Sequence, residues 1–344
     1  MISQIREIRI VGGGLAGLAL GIGLRREGVP TTVVEAGDYP RHKVCGEFVS
    51  GLSRETIDSL GITEVFEDAL PLRETLWRQR EEAFRTDRLP QPAWGISRYR
   101  LDQRLADRFR QLGGELLTKT RDSSAEAKEG VVRACGRSRR KSEWIGLKAH
   151  VYDLALSSDL EMRLGRQAYV GASEVEDGKV NVCGLFRKRL LERSSRSSIL
   201  IDYLAASGLE AFADRLSGVA FDHDSLCSVA GLEFGRSPYL SVRELRVGDA
   251  FAMPPPFTGD GMAMAFQGAL LAREPLVSYA RGMQSWKSTC RHVSSRLRSQ
   301  FRARLGAAWA LHPFLFRAGG QSLFRCVSQL NLLPFRPLFQ LLHA

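Results

Sequence analysis

The stretch "IREIRIVGGGLAGLALGIGLRREGVPTTVVEAG", residues 5–37, restricts the fold more than any other part of the chain. Ile8, Ile10 and Val11 predict a short buried strand, and Gly12, Gly14 and Gly17 stand in G-x-G-x-x-G spacing before an apolar helix. Gly12 suits a tight turn, Gly14 lets a pyrophosphate approach the helix N-terminus, and Gly17 lets helix and sheet pack closely. Leu15 and Ala16 complete the turn, and Gly28 ends the helix. The run "TTVVE" then brings Glu35, followed by Ala36, to the tip of a second strand. A carboxylate there can accept both ribose hydroxyls of an adenosine. Gly21 and Gly23 read as helix-packing residues. The stretch predicts a Rossmann-type dinucleotide site, with FAD and NAD both open at this point.

At 344 residues the chain is long enough for roughly two domains with a large core. Six cysteines (45, 135, 183, 227, 290 and 326) are widely spaced with no C-x-x-C pair, which suits a reducing cytoplasm better than a disulfide frame or zinc site. The six histidines lack metal spacing, and no Ser-His-Asp grouping stands out. The N-terminus enters a strand directly, and no apolar run approaches the ~18 residues of a membrane helix. Neither a signal peptide nor a spanning segment is expected, and the expected location is cytoplasmic. The net charge of +11 is concentrated: from Arg273 onward eleven Lys/Arg face the single acid Glu274. A confined excess of this kind argues for a local docking surface rather than a nucleic-acid-binding chain.

A second motif selects the cofactor. "LRVGDAFAMPPPFTGDGMAMAFQGALLA", residues 245–272, reads as a strand, a Gly248-Asp249 turn, a Pro- and Gly-rich loop, and a helix from about Gly261. It resembles the G-D motif of the FAD-dependent oxidoreductase/monooxygenase superfamily, which has the p-hydroxybenzoate-hydroxylase fold. The resemblance implies that Asp249 hydrogen-bonds the ribityl chain, with Gly248 beside it in the cofactor-binding turn. It also implies that Pro256, Gly259, Gly261 and Met262 line the isoalloxazine. A helix N-terminus there stabilises negative charge on a reduced flavin. "YPRHKVCGEFVS" contains Lys43, Cys45 and Gly46 and is similar to the loop that crosses the flavin in these proteins. Its C-G-E tripeptide resembles geranylgeranyl-reductase-like flavoproteins and biosynthetic-cluster monooxygenases. "GISRYRLDQRLADRF" is similar to the segment whose arginine, here Arg98, reaches the FAD phosphates, with Leu101 and Leu105 turned inward. "WIGLKAHV" and "YVGASEVEDGKVNVCGLF" resemble substrate-domain strands, and Asp177-Gly178 marks a hairpin turn within Val175–Phe186.

The implied fold class is α/β: a Rossmann-type FAD-binding domain of the glutathione-reductase-2-like kind, with an inserted antiparallel β substrate domain and a helical C-terminus. The expected boundaries are 1–75, 95–150 and 240–275 for the FAD domain, 76–94 and 151–239 for the substrate domain, and 276–344 for the basic helical region. The leading expectation is an FAD-dependent monooxygenase. It would take NAD(P)H as a transient reductant, since no second dinucleotide fingerprint occurs, and act on a hydrophobic, lipid- or polyketide-like metabolite. The alternatives are a saturase of isoprenoid lipids and a degenerate flavin-binding scaffold. Glu47 and Lys43 are the candidate catalytic residues: Glu47 to orient substrate or relay a proton, Lys43 to stabilise a flavin anion. His150 is open between a proton donor and a structural histidine, whereas Cys183 and Cys227 read as small buried hydrophobes.

Val293, Leu297, Phe301, Leu305 and Trp309 recur every four residues and predict an apolar helix stripe, with Arg296, Arg298, Arg302 and Arg304 beside it. The arginine surplus would suit an anionic membrane surface or an acidic carrier protein presenting a tethered substrate, with oligomeric state open. In relatives the strand ending at Ala134 usually continues A-D-G-R-x-S. Here Cys135 replaces the acid, while Gly136, Arg137 and Ser138 remain. Only thirteen residues separate Thr120 from Ala134, too few for the meander that relatives carry.

Overall fold

The computed structural model describes residues 5–343 apart from 123–127, 137–141, 190, 192–194, 196, 233, 237–243 and 331. In chain order the first half forms β1 (Ile8–Val11), α1 (Leu15–Arg26), β2 (Thr31–Val34), β3 (Phe48–Val49), α2 (Arg54–Leu60), β4 (Leu70–Gln79), β5 (Glu82–Gly95), α3 (Arg98–Gln111), β6 (Glu115–Leu117) and β7 (Val131–Arg133). Strands β8 (Trp144–Tyr152), β9 (Leu160–Gly165), β10 (Ala168–Glu174) and β11 (Lys179–Arg187) follow. Next come α4 (Ile199–Ala206), α5 (Glu210–Ser217), β12 (Phe221–Ala230), β13 (Gly235–Arg236), β14 (Leu245–Arg246) and β15 (Ala252–Met253). The chain ends in α6 (Gly261–Ala280), α7 (Trp286–Phe316), α8 (Ala318–Gln329) and α9 (Phe335–His343).

Five strands form a parallel sheet in the order β14-β7-β1-β2-β6. Helix α1 packs on α6 and α3, and every residue from Leu15 to Leu24 is buried. A helix apolar all round belongs between layers rather than on a surface. Helix α3 is capped by Ser97, whose Oγ accepts from Arg100 N at 3.1 Å, and it buries Leu101, Leu105 and Phe109. Among the described residues no strand lies between β6 and β7, in keeping with the short connection read from the sequence.

The second sheet has eight strands, ordered β12-β8-β11-β10-β9-β4-β5-β3. The hairpin β10–β11 turns at Asp177 (φ 62°) and Gly178 (φ 66°), as its D-G signal predicts. Strand β8 pairs with β11 along all nine residues and with β12 beyond it, so the expected boundary at residue 150 cuts a continuous strand of this sheet. Period-two alternation explains the role of β8. Leu147, Ala149 and Val151 join Leu200, Leu204 and Phe212 in one core. Gly146, Lys148 and His150 face the opposite way, toward the loop after β2.

The stripe on α7 is present: Val293, Leu297, Phe301 and Leu305 are buried against the first core, with Trp309 partly buried beside them. One expected surface residue is misplaced by the sequence reading. Arg304 is 1% exposed, turned inward by its place beside Phe301 and Leu305 on the packed face of α7. No helix among the described residues is long and apolar enough to cross a membrane.

Candidate flavin and substrate site

The glycine turn has the geometry its spacing demands. Gly12 adopts φ +111°, and a Cβ there would stand 2.3 Å from the Ala134 carbonyl oxygen. A Cβ on Gly17 would stand 1.9 Å from the Gly12 oxygen. At Gly14 an added Cβ meets nothing within 4 Å, leaving open space before α1. The first turn of α1, opened by Leu15 and Ala16, has no side-chain cap and no acid. Such a helix start offers free N–H groups and a positive dipole end to a phosphate.

Glu35, buried at the end of β2 with Ala36 beyond it, accepts from Gly13 N, Gly37 N and Arg41 Nη2, each at 2.8 Å. A carboxylate has about four acceptor positions, so capacity for a ribose hydroxyl remains. Tyr39 donates its hydroxyl to the Gly13 oxygen. Cys135 is exposed and adjoins the turn, because its Cα would lie 2.6 Å from a Gly12 Cβ. Arg137 and Ser138 lie outside the described residues.

Arg98 does not extend freely toward a phosphate. Its guanidinium grips Asp102 through Nε–Oδ1 at 2.8 Å and Nη2–Oδ2 at 3.0 Å, and Lys43 pairs with the same carboxylate. Asp102 is fully buried; the Arg98 charge, and after it Lys43, holds its carboxyl below the usual range despite burial. Two basic side chains thus converge on one buried carboxylate, and burial pulls the Lys43 ammonium below its ordinary pKa. Lys43 is thus tied to Asp102 rather than presented alone.

On the flavin side, Gly248 takes φ +60° and a Cβ there would meet Ala16 Cβ at 2.8 Å, so the G-D turn sits on the first turn of α1. Asp249 is exposed in that turn. The loop through Pro256 turns at Gly259 (φ +70°) and enters α6 at Gly261. Asp260, 1% exposed, precedes α6 without capping it. Burial raises its carboxyl to about 8 against the opposing charge of Arg304. Arg304 donates to Gln267 Oε1 at 2.9 Å, and Gln267 donates to the Gly51 carbonyl at 3.0 Å. Met262 Sδ lies 3.5 Å from Cys45 Sγ, so the C-G-E loop meets the start of α6.

Glu47 is the centre of a buried ionic cluster. It is fully buried at φ 52°, a left-handed conformation uncommon for a residue other than glycine and held only where surroundings enforce it. Oε1 accepts from Arg98 N at 2.9 Å and lies 3.2 Å from Lys148 Nζ; Oε2 lies 2.5 Å from His150 Nε2. Burial pushes the carboxyl up, but Lys148 and then His150 outweigh it, and its pKa ends below the ordinary range. Asn181 fixes the loop by donating to the Cys45 and Gly46 carbonyls at 3.1 and 2.8 Å. His42 lies 3.2 Å from Lys148 and stacks on Tyr99; burial, then the Lys148 charge, lowers it to about 4. The Cys45 and Cys183 thiols are pushed up by burial.

Lys148, Asn181 and Asp102 are site residues that the sequence reading missed. For Lys148 the sequence signal is alternation: Lys148 and His150 interrupt "WIGLKAHVY" at every second position, on one face of the strand.

A cavity of about 530 Å³ lies farther along the same sheet. Trp144 and Leu232 line it from the sheet side, Pro255 from the loop before α6, and Trp309, His312 and Phe316 from α7. The Trp144 and Phe316 rings are 4.2 Å apart, and those of Phe234 and His312 are 4.9 Å apart. Burial lowers His312 to about 4, so it is a neutral imidazole among aromatic rings.

The arrangement fits FAD: an open phosphate cradle at Gly14, a ribose acceptor at Glu35, and a second uncapped helix start at α6. Residues 6–150 match the family model of an FAD binding domain. No curated protein sequence matches the chain. Among solved structures it is similar to PqsL, a probable FAD-dependent monooxygenase from Pseudomonas aeruginosa, at 15% identity and TM-score 0.72, covering 92% of this chain and 98% of that one. It is also similar to Klebsiella pneumoniae HpxO complexed with FAD and uric acid, at 16% identity and TM-score 0.76, covering 98% and 95%. The flavin-dependent brominase Bmp2 gives 17% identity and TM-score 0.76, covering 98% and 94%. The chain shares its fold with these three proteins. The match to an FAD-binding domain covers residues 6–150, and the shared fold extends over the rest of the chain.

Proposed function

We propose that the protein is a monooxygenase that takes reducing equivalents from NAD(P)H and acts on a hydrophobic, ring-bearing metabolite. The observation that carries this reading is the aromatic cavity, walled by Pro255 of the loop entering α6 and by Trp144 of the eight-stranded sheet. A cavity between the candidate flavin loop and the inserted sheet is where a substrate can meet a redox centre while its rings exclude water.

Bound FAD would supply the electron transfer and oxygen activation. The chain's own residues do the rest. Gly14 and the start of α1 would hold the pyrophosphate, Glu35 the ribose, and the N–H groups at the start of α6 would stabilise negative charge on the isoalloxazine. Glu47, clamped by Lys148 and His150, is a positioning residue: with Asn181 it holds the Cys45–Gly46 backbone rigidly against the eight-stranded sheet.

The test is spectroscopic. Protein reconstituted with FAD should show bound-flavin absorbance, bleach anaerobically with NADH or NADPH, and recolour in air. With aromatic hydrophobic compounds present, labelled dioxygen should enter the product. Absence of bound flavin after reconstitution overturns the FAD assignment; reduction without oxygen incorporation overturns the monooxygenase assignment.

A further inference from the structure

A second concavity, of about 860 Å³, adjoins the aromatic cavity and shares Gln167, Arg187, Phe316 and Arg317 with it. Its walls carry Arg166, Lys188, Arg189 and Arg317, and no described acid lines it. Arg187 also borders it, but that guanidinium is paired with Glu143 at 3.0 Å. Lys188 donates to the Ser142 carbonyl, and Arg189 donates to the Ala206 and Arg166 carbonyls, contacts that aim the side chains without cancelling their charge. The groove also receives the start of α8: Ala318 and Gln321 line it, and the first turn has neither a side-chain cap nor an acid. Like charges gathered on one wall repel each other, and the positive end of a helix adds to the same field. An anion relieves both, and arginine is the residue suited to phosphate oxygens.

We propose that this groove binds the phosphate or pyrophosphate group of an amphiphilic substrate whose apolar body enters the adjoining aromatic cavity. The proposal rests on the aromatic cavity being the substrate site and adds the class of substrate: a phosphorylated, ring-bearing or lipid-like metabolite. Gln167, Arg187, Phe316 and Arg317 form the junction, with the Phe316 ring packed against Trp144 and His312 of the aromatic cavity.

The test is calorimetric titration of the FAD-reconstituted protein with 1-naphthyl phosphate, 1-naphthol and inorganic phosphate. Naphthyl phosphate should bind at least about tenfold tighter than either of the others, and its affinity should fall with added salt. Arg166→Gln/Arg317→Gln should weaken naphthyl phosphate about tenfold or more while leaving naphthol within about twofold. Trp144→Ala should weaken naphthol and naphthyl phosphate alike and spare inorganic phosphate, with far-UV circular dichroism confirming the fold of each variant. Equal affinity for naphthol and naphthyl phosphate overturns the proposal, as does an unchanged ratio in the arginine variant. Equal binding of inorganic phosphate and naphthyl phosphate also overturns it, because groove and cavity then act separately. Vesicles with and without phosphatidic acid identify the source. Charge-dependent capture of the vesicles supports a lipid phosphate; binding of the soluble ester alone supports a water-soluble one. Flavin absorbance is recorded in the same samples, so loss of FAD with intact naphthyl phosphate binding indicts the redox reading and leaves this one standing.

Discussion

Glu47 and Asp260 are both buried carboxylates beside the loops that converge on α6, yet their pKa values are driven in opposite directions. Glu47 has an ammonium at 3.2 Å, an imidazole at 2.5 Å and a backbone N–H at 2.9 Å, and its pKa lies below the ordinary range. Asp260 has the Arg304 charge as its chief favourable influence, and burial carries it up to about 8. Burial is common to both. What differs is the set of groups that oppose burial: the Lys148 charge, His150 and the Arg98 N–H at Glu47, against the Arg304 charge and then Thr258 at Asp260. One acid is an anchor that stays ionised; the other is neutral at the start of the helix where negative charge on a flavin would accumulate.

The comparison can be broken most forcefully at Lys148. Lys148→Met leaves Glu47 buried without its ammonium, and urea denaturation should show a loss of about 3–5 kcal/mol. The double variant Glu47→Gln/Lys148→Met should recover much of it, because no uncompensated charge remains.

A smaller effect separates the two acids by pH. The folded pKa of Asp260 is raised, so its contribution is present below the unfolded value of 3.8 and is lost as pH rises toward about 8. The slope should be at most about 1.4 kcal/mol per pH unit. Glu47 runs the other way: its folded pKa is lowered, so its contribution is present above the unfolded value and is lost as pH falls through the folded one. Asp260→Asn should flatten the stability profile between pH 4 and 8 without altering the acid limb, which Glu47→Gln should flatten instead.

Arg304→Gln sharpens the same contrast. Removing its charge should move the upper edge of the Asp260 window above pH 8 and cost about 1–3 kcal/mol through the broken Gln267 contact. A pH series of thermal melts would read both. The smallest effect concerns the thiols. Iodoacetamide at neutral pH should label Cys135 and Cys326, which are exposed, well before Cys45, Cys183 or buried Cys290, with no change in the melting curve.

Much of the dinucleotide half was legible in the sequence because its constraints are local. Gly12 and Gly17 are each required by backbone within a few residues of the turn or by the strand beside it, and Glu35 follows from strand length. The turn at Asp177-Gly178 was readable for the same reason. Arg98 was located, but its partner was not: Asp102 sits one helical turn away on the same helix, and a choice between that acid and a distant phosphate is not a local property. Arg304 was read as one more surface arginine, since only the packing of α7 on α6 shows which side of the helix is closed.

By itself the sequence determined a Rossmann-type turn, a second flavin motif and the hairpin turn at Asp177-Gly178, because φ/ψ demands are set by near neighbours. Tertiary structure alone decided which charges meet. Glu47 finds Lys148 and His150 across about a hundred residues, Asp260 lies near Arg304 of a later helix, and Arg166 and Arg317 line one groove. Those encounters, and the state of each group in them, depend on how two sheets and the C-terminal helices pack around one cleft.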